Sequence, residues 1–242
     1  MEKFSEVIVK YILLTLFLTI CAFSSVIKAN ETKYVANEVP EKMSVAEKKK
    51  RFYALLVPAV QKNYKKLIDE YNEVLNYMKT QSNLEKIEEL KQYYKVQSDE
   101  ELLYALKPHP PSIVLAQAAM ESAWATSRFF TQANNVFGVW SVNKHEPRIA
   151  ASEKRGGTKT IWLRKFNTIE ESIASYYKLL ATSKAYKEFR EIRYVSDDVH
   201  KMVSKLHRYS EMGELYGEEL SKLIKYNKLT KYDAIEKNKN RG

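Results

Sequence analysis

Residues 111–138 read PSIVLAQAAMESAWATSRFFTQANNVFG, and this stretch decides the fold. Its first half, residues 112–123, is apolar almost all round, which predicts a helix buried in the protein core. Glu121 comes at the end of that helix, followed by Ser, Trp and a turn rich in Asn and Gly. A carboxyl group in a dry corner resists ionisation, so its pKa rises and it can hold a proton near neutral pH. The pattern makes Glu121 a candidate general acid, although an isolated Glu at a helix end is most often a solvated surface residue.

Length and composition fit one sizeable domain with extensions, since the chain has 242 residues and 45% hydrophobic side chains. The formal net charge is +10. A basic surface suits polyanions such as nucleic acid, anionic lipid or a cell wall, but lysine can also serve solubility alone. The sequence carries no RNA-binding aromatic motif, zinc finger or helix-turn-helix signature, so no nucleic-acid partner is expected.

The N-terminal residues 1–30 carry a targeting signal. Lys3 and Lys10 precede an apolar stretch over residues 11–27, which is typical of a secretory signal peptide or an uncleaved membrane anchor. The stretch is slightly shorter than the ~20 residues that a spanning helix prefers. We therefore expect an exported protein of the periplasm or cell envelope, with anchoring in the inner membrane as the alternative.

Cysteine and histidine usage argues against redox and metal chemistry. Cys21 is the only cysteine and lies inside the leader, so the mature chain would have neither a disulfide nor a thiol nucleophile. The four histidines show no paired ligand spacing. We expect no metal and no cofactor.

A helical N-terminal arm is predicted over residues 31–107, after a polar linker. Apolar residues recur at helical spacing over residues 44–78, where Pro58 should kink or divide the helix. Two capping boxes, starting at Ser82 and Ser98, predict two further helices. The preferred role of the arm is to brace the body that follows.

The body is predicted over residues 108–228, with a basic and disordered tail over residues 229–242. Residues 147–166 combine a Gly-Gly turn with β-branched and aromatic residues in rough alternation, which predicts a small β-hairpin among helices. Helices resume after Thr168, Ser183 and Ser196, and the last runs over residues 214–226.

Three segments resemble the glucosaminidase superfamily, glycoside hydrolase family 73. Residues 117–129, QAAMESAWATSRF, resemble its A-x-x-E-S-x-W signature, with Ala125 where the family has Gly. Residues 135–138, NVFG, look like its N-x-F-G turn, and residues 166–180 are similar to its F-x-S-x-x-E-S-x-x-x-Y block. The arm and the segment over residues 209–216 are similar to a Bax-like branch of bacterial proteins in that superfamily.

The resemblance implies a mainly α-helical, lysozyme-like body with a small β-hairpin lobe. It implies cleavage of β-1,4 bonds next to N-acetylglucosamine in peptidoglycan, with Glu121 as general acid and Tyr176 as active-site tyrosine. Residues assigned to substrate binding, including two tryptophans as sugar-stacking candidates, are Ser122, Trp124, Asn135, Phe137, Gly138, Trp140 and Trp162. A Tyr at helical spacing is otherwise most often a core residue with a hydrogen-bonded hydroxyl group, and Trp124 also fits buried support.

The second catalytic group is poorly marked. Glu153 and Glu146 lie in the predicted hairpin region, and Glu153 is the candidate base that would activate water and invert the anomeric centre. Attack by the substrate's own acetamido oxygen, with Tyr176 stabilising the developing charge, is a second route. Attack by the muramyl 6-hydroxyl group, as in lytic transglycosylases, is a third.

Two non-enzymatic interpretations compete with hydrolysis. A wall-binding protein could use the same cleft to hold glycan without cutting it, although the Glu121 motif and the intact N-x-F-G turn argue against this. A membrane-anchored rod could use the apolar stripe of residues 52–78, although Pro58 argues against a long coiled coil. The oligomeric state is not predicted.

Overall fold

The computed structural model describes residues 34–155 and 159–234, and within these the side chains of residues 152–159 are left aside. The predicted signal or anchor over residues 1–30 lies outside the described residues. Within those described ranges, none of the helices combines the length and apolar character that crossing a membrane requires.

The described chain is mainly α-helical, as predicted. Its helices are α1 (Val45–Thr80), α2 (Leu84–Tyr94), α3 (Asp99–Leu106), α4 (Pro111–Glu121), α5 (Arg128–Ala133), α6 (Ile169–Thr182), α7 (Lys187–Val195), α8 (Val199–Val203) and α9 (Glu214–Tyr226). Two strands, β1 (Arg148–Arg155) and β2 (Lys159–Arg164), form the predicted hairpin between α5 and α6.

Helix α1 runs unbroken through Pro58, so of the two predicted effects, a kink or a division, division is wrong. A capping box at Ser44 begins the helix. Proline removes one backbone hydrogen bond, but its neighbours Leu56 and Val60 are completely buried in the main core. Burying each such side chain contributes about 1.5–3 kcal/mol, enough to offset much of the loss.

Local capping was predicted with mixed success. Ser98 forms the expected capping box and begins α3. Ser82 does not cap α2, because Asn83 occupies the N-cap position in a left-handed conformation without a side-chain bond. Ser82 instead shares a hydrogen bond with the Thr80 hydroxyl at 2.7 Å. Asp198, rather than Ser196, caps α8, because its side chain accepts hydrogen bonds from the backbone amides of His200 and Lys201.

Helix α4 is the centre of the main core. Nearly all its residues are buried, including Ile113, Val114 and Leu115 at 0% exposure. It packs against α1 and α9 and against a 3₁₀ turn at Leu229–Tyr232. The burial predicted from its apolar sequence is confirmed.

The residues at the start of the predicted tail are ordered parts of the body. Leu229 is buried in the core, and the Asp233 carboxylate accepts a hydrogen bond of 2.7 Å from the Ser112 amide in the first turn of α4. This satisfies a helix N-terminal amide and places negative charge at the positive end of the helix dipole. Disorder beginning at residue 229 is therefore the wrong expectation for this segment, while residues 235–242 lie outside the described chain.

The hairpin is fastened to the body at its base. Its antiparallel register pairs Arg148 with Arg164, and an irregularity falls between Ala150 and Lys154. The Arg128 guanidinium of α5 donates to the Ala150 carbonyl oxygen of β1. Helix α5 follows closely on Glu121 in the chain, so this contact sets the hairpin next to the end of α4.

Candidate active site

Glu121 ends α4 with its side chain half-buried. The Tyr216 hydroxyl of α9 donates a hydrogen bond of 2.7 Å to Glu121 Oε1. Burial raises the pKa of Glu121, and the Tyr216 hydrogen bond only partly opposes that rise. The second carboxyl oxygen can therefore carry a proton for donation to a bound acceptor.

The chain leaves α4 through a left-handed turn. Ala123, Trp124 and Ala125 all have positive φ, at 51°, 62° and 63°. This conformation crowds Cβ against the backbone and costs roughly 1–2 kcal/mol per residue. Ser122 stabilises the turn, since its Oγ accepts a hydrogen bond of 2.8 Å from the Ala125 amide and donates to the Ala118 carbonyl oxygen. The structure thus places Ser122, fully buried, in the support of the turn.

The N-terminal arm clamps this turn. Arg51 of α1 is almost completely buried and donates to the Ala125 carbonyl oxygen at 2.6 Å and to two carbonyl oxygens of residues 35 and 36. The Trp124 ring packs edge-on against Phe52 at 5.1 Å, with the Lys49 ammonium 5.0 Å from its centre. Trp124 is therefore partly buried and packs against the arm, while its assignment to sugar contact stays a prediction.

A chain of hydrogen bonds leads from Glu121 into the core. Tyr216 donates to Glu121, and Gln117 Nε2 donates to the Tyr216 oxygen at 2.9 Å. The Tyr176 hydroxyl donates to Gln117 Oε1, and His109 Nε2 lies 3.0 Å from the Tyr176 oxygen. We call these five residues the acid-linked chain. Its four inner members all lie behind the half-buried carboxyl group.

All donors in the acid-linked chain point toward Glu121. Tyr176 donates its only hydroxyl proton to Gln117, so His109 must donate from Nε2 to the Tyr176 oxygen. Burial holds the pKa of His109 well below its usual range, which keeps the ring neutral. Hydrogen bonds aligned head to tail polarise one another, so the donors together favour a carboxylate at Glu121 more than Tyr216 alone would.

Two further tyrosines crowd the acid. The Tyr209 ring stacks on the Tyr216 ring with centres 5.5 Å apart, and the Tyr186 ring lies 6.1 Å from Tyr209. Burial and, next, the Glu121 carboxylate raise the pKa of Tyr209 and of Tyr186. Their hydroxyl groups therefore stay protonated and neutral beside the acid.

Tyr176 itself is completely buried, and its hydroxyl group is hydrogen-bonded to Gln117 and His109. Its ring stacks on Phe137 with centres 4.0 Å apart and an angle of 13° between the planes. Its influence on the acid passes through Gln117 and Tyr216. In this geometry Tyr176 positions other groups, and its assignment as a residue in contact with substrate stays a prediction.

The predicted cleft floor is a pinned turn. Asn135 is buried, and its amide group donates to the Val139 and Arg164 carbonyl oxygens at 2.9 Å while accepting from the Val139 amide. Gly138 has φ of +65°, a conformation that glycine adopts without strain. Asn135 thus fastens the turn to strand β2, and any contact with sugar would fall to neighbouring atoms.

Two tryptophans lie in or next to the hairpin, Trp162 in β2 and Trp140 just before β1. Trp140 is 56% exposed and bridges to Leu163, while Trp162 is partly exposed with the Arg148 guanidinium 4.3 Å from its ring centre. Both remain candidates for sugar stacking. Contacts at the base of the hairpin, such as the hydrogen bond from Arg128 to the Ala150 carbonyl oxygen, fix where both tryptophans lie relative to Glu121.

The two candidate second acids differ in their surroundings. Glu146 forms an ion pair with Arg164 at 3.0 Å. Glu153 lies in β1, where the pairing with β2 is irregular, and its side chain lies outside the part of the chain that the structure describes. Glu153 therefore stays a prediction.

Sequence reasoning missed the roles of Tyr216, Gln117 and His109. Gln117 carried a usable signal, because it is four residues before Glu121 and therefore on the same helix face. A Gln in an otherwise apolar helix also needs a buried partner. Tyr216 and His109 reach the site from distant parts of the chain, and although Tyr216 lies in the segment over residues 209–216 that the resemblance marks, no pattern indicates that either residue contacts this site.

Comparison with known proteins gives consistent matches. The family model described as mannosyl-glycoprotein endo-beta-N-acetylglucosaminidase matches residues 101–229. The chain is 32% identical to Protein bax of Escherichia coli (strain K12) over 113 residues, which cover 44% of this chain and 39% of that protein. It is 34% identical to Exo-glucosaminidase LytG of Bacillus subtilis (strain 168) over 92 residues, which cover 36% of this chain and 33% of LytG. The matches thus span between about a third and two fifths of the length of these curated relatives.

A solved structure agrees on the fold. The catalytic domain of the autolysin Auto from Listeria monocytogenes aligns with a TM-score of 0.50 and 19% identity, over 80% of this chain and 92% of that domain. The helical body and the small hairpin define a lysozyme-like fold, and the family match makes it a glycosidase domain. The chain belongs to the glucosaminidase family, whose model covers more than half of its length.

Proposed function

We propose that this protein is a peptidoglycan hydrolase that cleaves β-1,4 glycosidic bonds next to N-acetylglucosamine, with Glu121 as general acid. The observation that carries the proposal is the raised pKa of a half-buried carboxyl group at the end of a core helix. Family membership supplies the reaction class. The name of the relative LytG, an exo-glucosaminidase, supports the sugar specificity.

The proposed acid role follows from the different surroundings of the two carboxyl oxygens of Glu121. Tyr216 occupies Oε1, so the orientation of the carboxyl group is fixed and Oε2 is left to meet a glycosidic oxygen. Proton donation at that oxygen lets the leaving sugar depart as a neutral alcohol while positive charge develops on the ring. The acid-linked chain holds this geometry because each of its members is locked by the next.

Glu153 is the proposed partner acid. In the inverting route it would activate a water molecule on the opposite face of the sugar. In the substrate-assisted route the acetamido oxygen would replace it, and lytic transglycosylation would need no second carboxyl group either. Glu146 is a weaker candidate, because its ion pair with Arg164 already engages it.

The proposed place of action is the bacterial cell envelope. The leader-like segment over residues 1–30 and the formal charge of +10 suit an exported protein that meets an anionic wall. Inner-membrane anchoring through that segment belongs to the same proposal.

The decisive experiment is the Glu121→Gln variant on purified sacculi. We expect muropeptide release to fall roughly 100- to 10,000-fold, because general acid catalysis contributes about that much. Glu218→Gln, an exposed change on α9, is the matched control and should keep the wild-type rate. Release by Glu121→Gln at the control rate would remove the acid assignment, and wild-type binding without release would favour a glycan-binding protein.

Product analysis separates the routes. Mass spectrometry of the released ends should show reducing N-acetylglucosamine, whereas anhydro-muramyl ends would identify a lytic transglycosylase. Glu153→Gln should slow release in the inverting route, with Glu146→Gln as the ion-paired comparison. An unchanged rate in Glu153→Gln would point to substrate assistance or transglycosylation.

A further inference from the structure

A cavity whose lining does not include Glu121 lies between the arm and the body. Its volume is about 510 Å³, within the range of small-molecule sites. Helices α1, α2, α6 and α7 and the end of α3 form its walls. Its charged lining consists of Lys66, Lys86, Lys107, Lys178 and Arg193 against Glu70 and Glu89.

Arg193 of α7 is the unusual member of this lining. It is 2% exposed, and its guanidinium donates to the Tyr104 carbonyl oxygen. Its Nε has no partner among the described residues, and none of the described carboxylates pairs with it. A buried cation without a counter-charge is costly, and a bound anion would offset that cost.

Lys178 of α6, which is partly buried, adds a second cation to the same wall. Its Nζ donates to the Tyr93 carbonyl oxygen at 2.8 Å and lies 4.1 Å from the Tyr94 ring centre. Burial lowers the pKa of Lys178 to about 8 and that of Arg193 to about 9. Both shifts arise first from burial, which disfavours the charged form of each group.

The acidic lining residues do not balance these cations. Glu89 is paired with Lys86 at 3.4 Å. Glu70 is then the one acid of the described lining that faces Lys66, Lys107, Lys178 and Arg193. The interior of the cavity is therefore electropositive.

We propose that this cavity binds a small carboxylate or phosphate group carried on an apolar or peptidic body, with Arg193 and Lys178 holding the anion. Arginine matches both oxyanions through parallel hydrogen bonds, and lysine adds a point charge. Tyr93, Tyr94 and Tyr177 line the cavity with Leu67 and Leu90, which suits an apolar neighbour to the anion. The site does not depend on the proposed glycosidase activity.

Isothermal titration of the whole chain tests this site with three probes. They are inorganic phosphate, an N-acetylated alanine dipeptide with a free carboxylate, and the same dipeptide as its amide. Lys178→Gln should weaken anion binding roughly 10- to 100-fold, the worth of one charge-assisted hydrogen bond. Lys201→Gln, an exposed lysine on α8, is the matched control.

The outcomes separate the sources of the anion. Binding of the acid dipeptide but not its amide supports a peptide carboxylate, and binding of phosphate alone supports a phosphate ligand. No heat with any probe, or equal affinity in Lys178→Gln and Lys201→Gln, overturns the proposal. Arg193→Lys, checked for folding by circular dichroism, should weaken binding as well, since it loses the paired donors. Glu121→Gln should bind as wild type does.

Discussion

At the scale of single residues, Glu121 is governed by two opposed effects. Burial disfavours its charge, whereas the hydrogen bond from Tyr216 favours it, and burial is the larger. A carboxyl group whose pKa is higher in the folded state binds its proton more tightly there than in the unfolded chain. Its contribution to stability is therefore fully present below the unfolded pKa and is lost as the pH rises toward the folded pKa.

This linkage predicts that Glu121→Gln is more stable than wild type at neutral pH. Gln keeps an oxygen for the Tyr216 hydroxyl but never ionises, so the cost of burying a charge disappears. Thermal unfolding monitored from pH 4 to pH 7 should show the two melting temperatures diverge as the pH rises. Parallel curves would mean that the carboxyl group is well hydrated.

Tyr216→Phe should move the pH profile of the reaction. The change removes the one interaction that lowers the pKa of Glu121, so the alkaline limb of kcat should shift to higher pH. It also leaves the buried Gln117 amide without its acceptor, at a cost of about 1–3 kcal/mol. Tyr226→Phe, an exposed control on α9, should change neither quantity. A loss of stability with an unmoved pH profile would show that Tyr216 only packs.

At the scale of elements, the turn after α4 is the strained part of the site. Its three left-handed residues carry side chains, and Ser122 and Arg51 hold them in place from both sides. Where the family pattern has glycine, this chain has Ala125. The strain fixes the direction in which Glu121 leaves the helix.

Ala123→Gly should stabilise the protein by about 0.5–1 kcal/mol. Ala123 is exposed with φ of 51°, and glycine adopts that angle without steric cost, although it gains entropy in the unfolded chain. Urea unfolding measures the difference. Ala174→Gly, in the exposed middle of α6, should instead destabilise by about 0.5–1 kcal/mol. Equal losses in both variants would contradict the strain.

Local elements could be predicted where the signal was itself local. The apolar run of α4, the Ser98 capping box and the hairpin over β1 and β2 depend on neighbouring residues, and the structure confirms them. The prediction that Pro58 would divide α1 failed because tertiary packing along α1 outweighs the loss of one hydrogen bond. The prediction that Ser82 would cap α2 failed because the capping pattern contains no information about the backbone conformation of Asn83.

At the scale of the whole molecule, two apolar clusters share α1. The main cluster surrounds α4, and a smaller one joins the far end of α1 to α2, α3 and Ala181 of α6. The acid-linked chain crosses the main cluster and unites segments about a hundred residues apart, such as Gln117 and Tyr216. Such contacts depend on topology, so the sequence alone predicted Glu121 but not its partners.

The net charge predicts salt-dependent wall binding. With a formal charge of +10, association with anionic sacculi should weaken steadily as sodium chloride is added, because the Debye length falls from ~10 Å at 0.1 M to ~3 Å at 1 M. Co-sedimentation with sacculi of the Glu121→Gln variant measures binding without digestion. Binding that does not change with salt concentration would show that the protein recognises sacculi through contacts with neutral sugar rather than through its net charge.

The hydrogen bond between Asp233 and the first turn of α4 has a consequence for biosynthesis. The helix that carries the acid gains two of its partners, Leu229 and Asp233, from a segment roughly a hundred residues further along the chain. A nascent chain therefore holds an incompletely docked α4 until residues 229–233 have been synthesised, and the surroundings of Glu121 can be completed only after that point.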